Sequence, residues 1–153
     1  MGGEGFEGRW LTGEEEQFAR ALARTVLFIP RAFDADLGRD LGMTTSEFFT
    51  LAHLAEAPGE RMRMGDLADA TALSLSATTK VVTKLETAGL VVRERSAGDR
   101  RGHEARLTES GRSRLEGSRS AWLASMRRRL FDRLEGADLA SLTAALQRIS
   151  HDG

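Results

Sequence analysis

Between Met64 and Leu107 the spacing of hydrophobic positions changes period, and the change predicts how this part of the chain is built. Thr78, Val81, Val82 and Leu85 fall at i, i+3, i+4 and i+7, the buried stripe of a helix from about Ser74 to Ala88. A shorter helix, Met64 to Ala70, precedes it across a tight connection at Thr71 to Leu73. Ser74 suits an N-cap, and Gly89 suits the position just past the helix, where left-handed backbone costs glycine little. Leu90 to Glu94 and His103 to Leu107 then read as two strands around the turn Ser96-Ala97-Gly98-Asp99-Arg100-Arg101-Gly102. Two helices at a short turn with a two-stranded flap make a winged helix-turn-helix.

The remaining segments read as helices. Thr12 with Glu15 forms a capping box, and Phe18, Leu22, Thr25 and Ile29 continue a helical stripe. Pro30 predicts a kink or short break before the helix resumes to about Leu41, and Gly42 ends it. Thr44 with Glu47 is a second capping box, opening a helix that carries Phe48, Leu51, Ala52 and Leu54 and stops near Pro58-Gly59. Arg61 to Arg63 is a candidate short strand beside the flap. Thr108 caps a long helix to about Leu134, with Leu115, Trp122, Leu123, Met126 and Leu130 at helical spacing. A last helix, about Ala137 to Ile149, carries Leu139, Leu142, Leu146 and Ile149. The expected fold is therefore mainly α (α+β): a winged helix-turn-helix over residues 44–107, flanked by helices at 12–41 and 108–150. Residues 12–153 form one unit behind a disordered tail, 1–11, that is acidic, glycine-rich and no signal peptide.

The exposed face of the 74–88 helix carries Ser76, Thr79, Lys80, Thr83, Lys84 and Thr87. Hydroxyls and lysines suit base edges and phosphates, whereas a solvated face would hold more glutamate. The only two lysines of the chain sit on this helix, one turn apart. Arg93, Arg95, Arg100, Arg101 and Arg106 crowd around the glycine-rich turn, and an arginine at such a tip can enter a narrow minor groove. Asp99 can orient a neighbouring guanidinium, or can simply shape the turn.

Net charge is −1, which does not suggest a nucleic-acid binder until it is divided along the chain. Residues 1–60 carry a balance of −6, residues 61–107 of +3 and residues 108–153 of +2. Local positive charge suffices for phosphate binding, and the acidic N-terminal part should sit away from DNA. With no cysteine, thiol redox sensing and a cysteine-ligated metal are excluded. His53, His103 and His151 are scattered, so no metal or other cofactor is expected. No apolar run reaches about 18 residues, and no catalytic constellation occurs; a cytoplasmic protein without a membrane span or enzymatic activity is expected.

The run Leu67-Ala68, Leu73-Ser74, Ser76, Leu85-Glu86, Gly89-Leu90-Val91, Asp99-Arg100-Arg101-Gly102 and Leu107-Thr108-Glu109-Ser110-Gly111 resembles the MarR family of bacterial transcription regulators. The resemblance covers nearly the whole chain. It implies an obligate homodimer on a pseudo-palindromic DNA operator, commonly a repressor, often released by a small molecule. Carried over by position, Ser74, Ser76, Thr79, Lys80 and Lys84 on the recognition helix, and Asp99 and Arg101 on the wing, are expected DNA contacts; Thr83 on the same helix face and Arg95 and Arg100 beside the wing turn join them from the residue pattern. Leu75 and Ala77 depart from the family, standing where relatives often carry polar or basic residues, and Thr78 replaces a usual aliphatic residue.

The end helices carry more apolar surface than a small winged unit covers, and a second copy is the economical partner. Two recognition helices would then meet successive major grooves with half-sites about 10 base pairs apart. In the resemblance, ligands lodge where dimer helices meet the winged unit. Candidate linings for a small aromatic or anionic effector are Phe28, Phe48, Phe49, His53 and Trp122, with Arg20 or Arg24 as anchors. For each aromatic the competing assignment is plain core. Arg127-Arg128-Arg129 is expected to be a solvated face. The competing function is a winged-helix protein used for protein contacts or nonselective DNA binding.

Overall fold

The computed structural model describes residues 10–95 and 102–150. Helix α1 spans Gly13–Leu41 behind the Thr12/Glu15 capping box, with Glu14, Glu15 and Glu16 complementing the positive end of the helix dipole. The expected break at Pro30 does not occur: α1 runs through it without interruption. Pro30 lacks the N–H that would bond the Val26 carbonyl, and both residues are exposed, so water can satisfy that carbonyl. Gly42, at φ 62°, closes α1 by donating its N–H to the Gly38 carbonyl at 3.0 Å.

The second capping box, Thr44/Glu47, opens α2, Thr45–Glu56. Past a single 3-10 turn at Pro58–Glu60, the chain forms β1 (Arg61–Arg63), α3 (Met64–Thr71) and α4 (Leu75–Thr87). Ser74 caps α4 by accepting from the Ala77 N–H at 3.1 Å, and Gly89 takes a left-handed φ of 73°. Strands β2 (Val91–Arg95) and β3 (His103–Leu107) follow, β2 one residue later than the pattern predicts. The sheet is antiparallel in the order β1-β3-β2, with Arg61 opposite Arg106 and Arg95 opposite His103.

Helix α5, Glu109–Arg129, is shorter than expected: Leu130 leaves helical conformation (φ −120°, ψ −68°), and one 3-10 turn follows at Phe131–Arg133. Helix α6 spans Leu139–Ser150, its first N–H groups accepted by Asp138. The core joins the flanks to the winged unit: Leu37 from α1, Phe48, Leu51 and Leu54 from α2, Leu67, Val82, Leu85, Val91, Ala105, Leu107 and Leu115.

Gly111 explains the Leu-Thr-x-x-Gly segment. A Cβ there would stand 2.1 Å from the Leu90 carbonyl oxygen and 2.7 Å from Leu107 Cδ1. Thr108 adds a second tie, donating its hydroxyl to the Gly89 carbonyl while accepting from the Gly111 N–H. The start of α5 therefore packs directly on the base of the wing.

Candidate nucleic-acid interface

Helix α4 turns Thr78, Val82 and Leu85 into the core, with Val81 half-buried beside them. Thr78 is tolerated there because its hydroxyl donates to the Ser74 carbonyl at 3.0 Å. The opposite face presents Ser76, Thr79, Lys80 and Thr83 to solvent, as the pattern predicts. Ser74 is exposed but serves as the cap. Lys84 reaches the α4 surface yet places its Nζ 2.5 Å from Glu47 Oε1, a carboxylate only 6% exposed. The other oxygen of Glu47 accepts the Thr44 N–H in the α2 capping box. Lys84 thus ties α4 to α2, and among the described residues Lys80 is the one lysine without a carboxylate partner.

The wing is less basic toward a ligand than its arginine count suggests. Glu86 of α4 accepts from the Arg93 guanidinium at 2.9 Å and from the Arg93 backbone N–H at 3.3 Å. The Arg93 hydrogen bond holds the Glu86 carboxyl below its ordinary range. Arg106 donates twice to Glu94 Oε1, at 3.0 and 2.8 Å, and depresses that carboxyl likewise. Both arginines brace the hairpin. Because strand side chains alternate, Val91, Arg93 and Arg95 share one face. Val91 enters the core, Arg93 meets α4, and Arg95 emerges exposed at the strand end opposite exposed His103. Asp99, Arg100 and Arg101 lie outside the described residues.

These features set a polar helix face beside a short sheet, on a scaffold built with the flanking helices α1, α5 and α6. The sequence pattern of the MarR family matches residues 41–102. A MarR family transcriptional regulator from Streptomyces coelicolor, solved in complex with DNA, is 32% identical, with TM-score 0.87 over 95% of this chain and 91% of that one. The chain belongs to the MarR family. AbsC, another MarR family regulator of Streptomyces coelicolor, is 37% identical with TM-score 0.84, over 94% of this chain and 96% of that one. Bordetella bronchiseptica BpsR, whose DNA binding is regulated by 6-hydroxynicotinic acid, shares the fold at 20% identity and TM-score 0.72, over 88% and 98% of the two chains. No curated protein matches. As a MarR family member, the chain is a DNA-binding transcription regulator with a winged helix, and no described helix is long and apolar enough to cross a membrane.

The effector candidates do not converge on one cavity among the described residues. Phe48, Phe49 and Trp122 pack together with Phe33, their ring centroids 4.9–5.8 Å apart, and the His53 ring lies 6.4 Å from that of Phe49, tilted by 33°. Arg20 pairs with Glu16 on exposed α1. Arg24 and Phe28 instead line an apolar groove of about 930 Å³ between α1, the 3-10 turn after α5, and α6.

The flanks hold a site that the sequence pattern misses. Asp36 of α1, 1% exposed, accepts from Arg129 at 2.9 and 2.7 Å, Ser125 at 2.6 Å, Arg128 at 2.9 Å and Arg39 at 3.2 Å. Arg129, foremost among these donors, holds the Asp36 carboxyl far below the usual carboxylate range against the opposing effect of burial. The solvated face expected for Arg127 to Arg129 fails at Arg129, which turns to Asp36 and is 24% exposed; Arg128 also reaches Asp36 but stays 48% exposed, and Arg127 stays out over the Phe131 ring. A signal existed in the sequence, since Asp36 shares the apolar stripe of Phe33 and Leu37.

Proposed function

We propose that the chain acts as a homodimeric, sequence-specific repressor on a pseudo-palindromic operator, released by a small aromatic or anionic effector. The observation that carries this reading is the uncovered groove between α1 and α6. Phe18, Val26, Leu27 and Phe28 of α1 are each about three-fifths exposed, and Leu139, Leu142, Leu146 and Ile149 of α6 remain open as well. Apolar stripes of that extent call for a partner, and a two-fold arrangement lets each copy cover the other with the same helices. Two α4 helices then meet successive major grooves, each with Ser76, Thr79, Lys80 and Thr83 toward the bases and phosphates, while Arg95, Asp99, Arg100 and Arg101 serve the wing contact.

An effector acts where α1, α2 and α5 meet. Its ring enters between Phe49 and Trp122, beside His53, and parting those rings shifts α5 against the wing base that Gly111 touches. No catalytic role or cofactor belongs to this reading, and its place is the cytoplasm, beside the DNA. Nonselective coating is the weaker alternative, because Glu86 and Glu94 already engage two wing arginines.

Footprinting on a bound duplex, combined with sedimentation, tests the reading. Two protected major-groove segments about 10 base pairs apart and a mass of two chains are expected. A single protected segment, or a monomer on DNA, would overturn the dimeric account.

A further inference from the structure

Leu75, Thr79, Thr83 and Thr87 form one i, i+4, i+8, i+12 row on the exposed side of α4. Leu75 begins the row, a large apolar side chain left 57% exposed in the first turn. The three threonine hydroxyls donate to the carbonyls four residues earlier: Thr79 to Leu75 at 2.9 Å, Thr83 to Thr79 at 2.8 Å, and Thr87 to Thr83 at 2.9 Å. A hydroxyl whose proton is committed in this way can only accept, and the bond restricts its rotamer. Each threonine therefore offers the outside one methyl and one acceptor oxygen. No cation stands in the row: Lys80 lies off it, and Lys84 is held by Glu47.

That chemistry selects among base edges. An arginine or lysine reads the two acceptors of guanine, whereas this row has neither the charge nor a free proton to offer them. An A·T pair presents a thymine 5-methyl and an adenine N6 amino donor in the major groove, which match a methyl and an acceptor oxygen. Cytosine supplies an amino donor but no methyl. We propose that this row is an A·T reader, in which Leu75 and Thr79 cover thymine 5-methyl groups and the threonine oxygens accept from adenine N6. The proposal rests on the reading of α4 as the groove-facing helix. It assigns a role to Leu75, the family departure that otherwise removes a polar contact.

The test uses duplexes recovered by the purified full chain from a random-sequence pool. Each thymine of the recovered site is replaced in turn by deoxyuridine, which removes the 5-methyl and leaves base pairing intact. At one or more thymines per half-site the parent chain should weaken about fourfold for each methyl lost from contact. At those same thymines Leu75→Ala or Thr79→Ser should show a penalty below about twofold, because the protein side of the contact is already gone. Both positions are exposed, so neither variant removes core packing. A site indifferent to deoxyuridine throughout, or penalties undiminished in both variants, overturns the A·T reader while leaving DNA binding by α4 intact. A chain that recovers no sequence from the pool overturns the α4 reading and the proposal together.

Discussion

Replacing Asp36 by asparagine should expose how strongly α1 is fastened to α5. The carboxylate is buried and receives four hydrogen bonds from α5 and one from Arg39. Removing one member of a buried, hydrogen-bonded charge pair typically costs about 3–5 kcal/mol, since the remaining charges stay desolvated and unmatched. Arg39 and Arg128 are 61% and 48% exposed, so water screens their share, and Arg129 at 24% carries the greater part. The lower end, about 3 kcal/mol, is therefore expected for Asp36→Asn. For a chain of this size that lowers Tm by about 6–12 °C, compared at one fixed protein concentration because assembly contributes to stability. The pH dependence carries its own signature. Asp36 titrates lower in the folded chain than when unfolded, so its stabilisation is complete above about pH 5 and is lost as pH falls through the unfolded carboxyl range near 4 and below. The difference between parent and variant in urea titrations should thus be constant above about pH 5 and shrink in acid. A variant within about 0.5 kcal/mol of the parent at pH 7, or a gap that persists undiminished to pH 2, would refute the assignment.

Gly111→Ala should destabilise by about 3 kcal/mol or more, because its Cβ would meet a backbone carbonyl that cannot yield without moving β2; chemical denaturation measures this. The two lysines should separate in one experiment. Lys80→Gln lowers the slope of log affinity against log salt by about one unit per phosphate contact, whereas Lys84→Gln leaves the slope unchanged and lowers the denaturation midpoint. Equal slope changes in both variants would place Lys84 on DNA after all.

What the sequence reveals about this fold follows the range of the forces involved. Both capping boxes and the α4 stripe depend on residues three or four apart, and each appears where its spacing places it. The short strand at Arg61 to Arg63 was legible because it sits between a Pro-Gly turn and a helical stripe. Pro30 shows a local rule yielding to context, since an exposed helix face lets water take up the carbonyl that proline leaves free. The long-range ion pairs are not legible. Asp36 meets donors 89 to 93 positions away, and Glu47 meets Lys84 across the helix packing. The number of arginines near the wing likewise exceeds its free charge, because Glu94 and Arg106 are twelve residues apart and joined only by strand register.

Sequence-specific DNA reading by the exposed face of α4 and the wing is the proposal on which the rest depends. Fluorescence anisotropy of the purified chain with a duplex recovered from the random pool, against a scrambled duplex of equal length across a salt series, tests it most directly. A preference of at least about a thousandfold at near-physiological salt is expected. Equal, steeply salt-dependent affinity for both duplexes, or binding to neither, would contradict it.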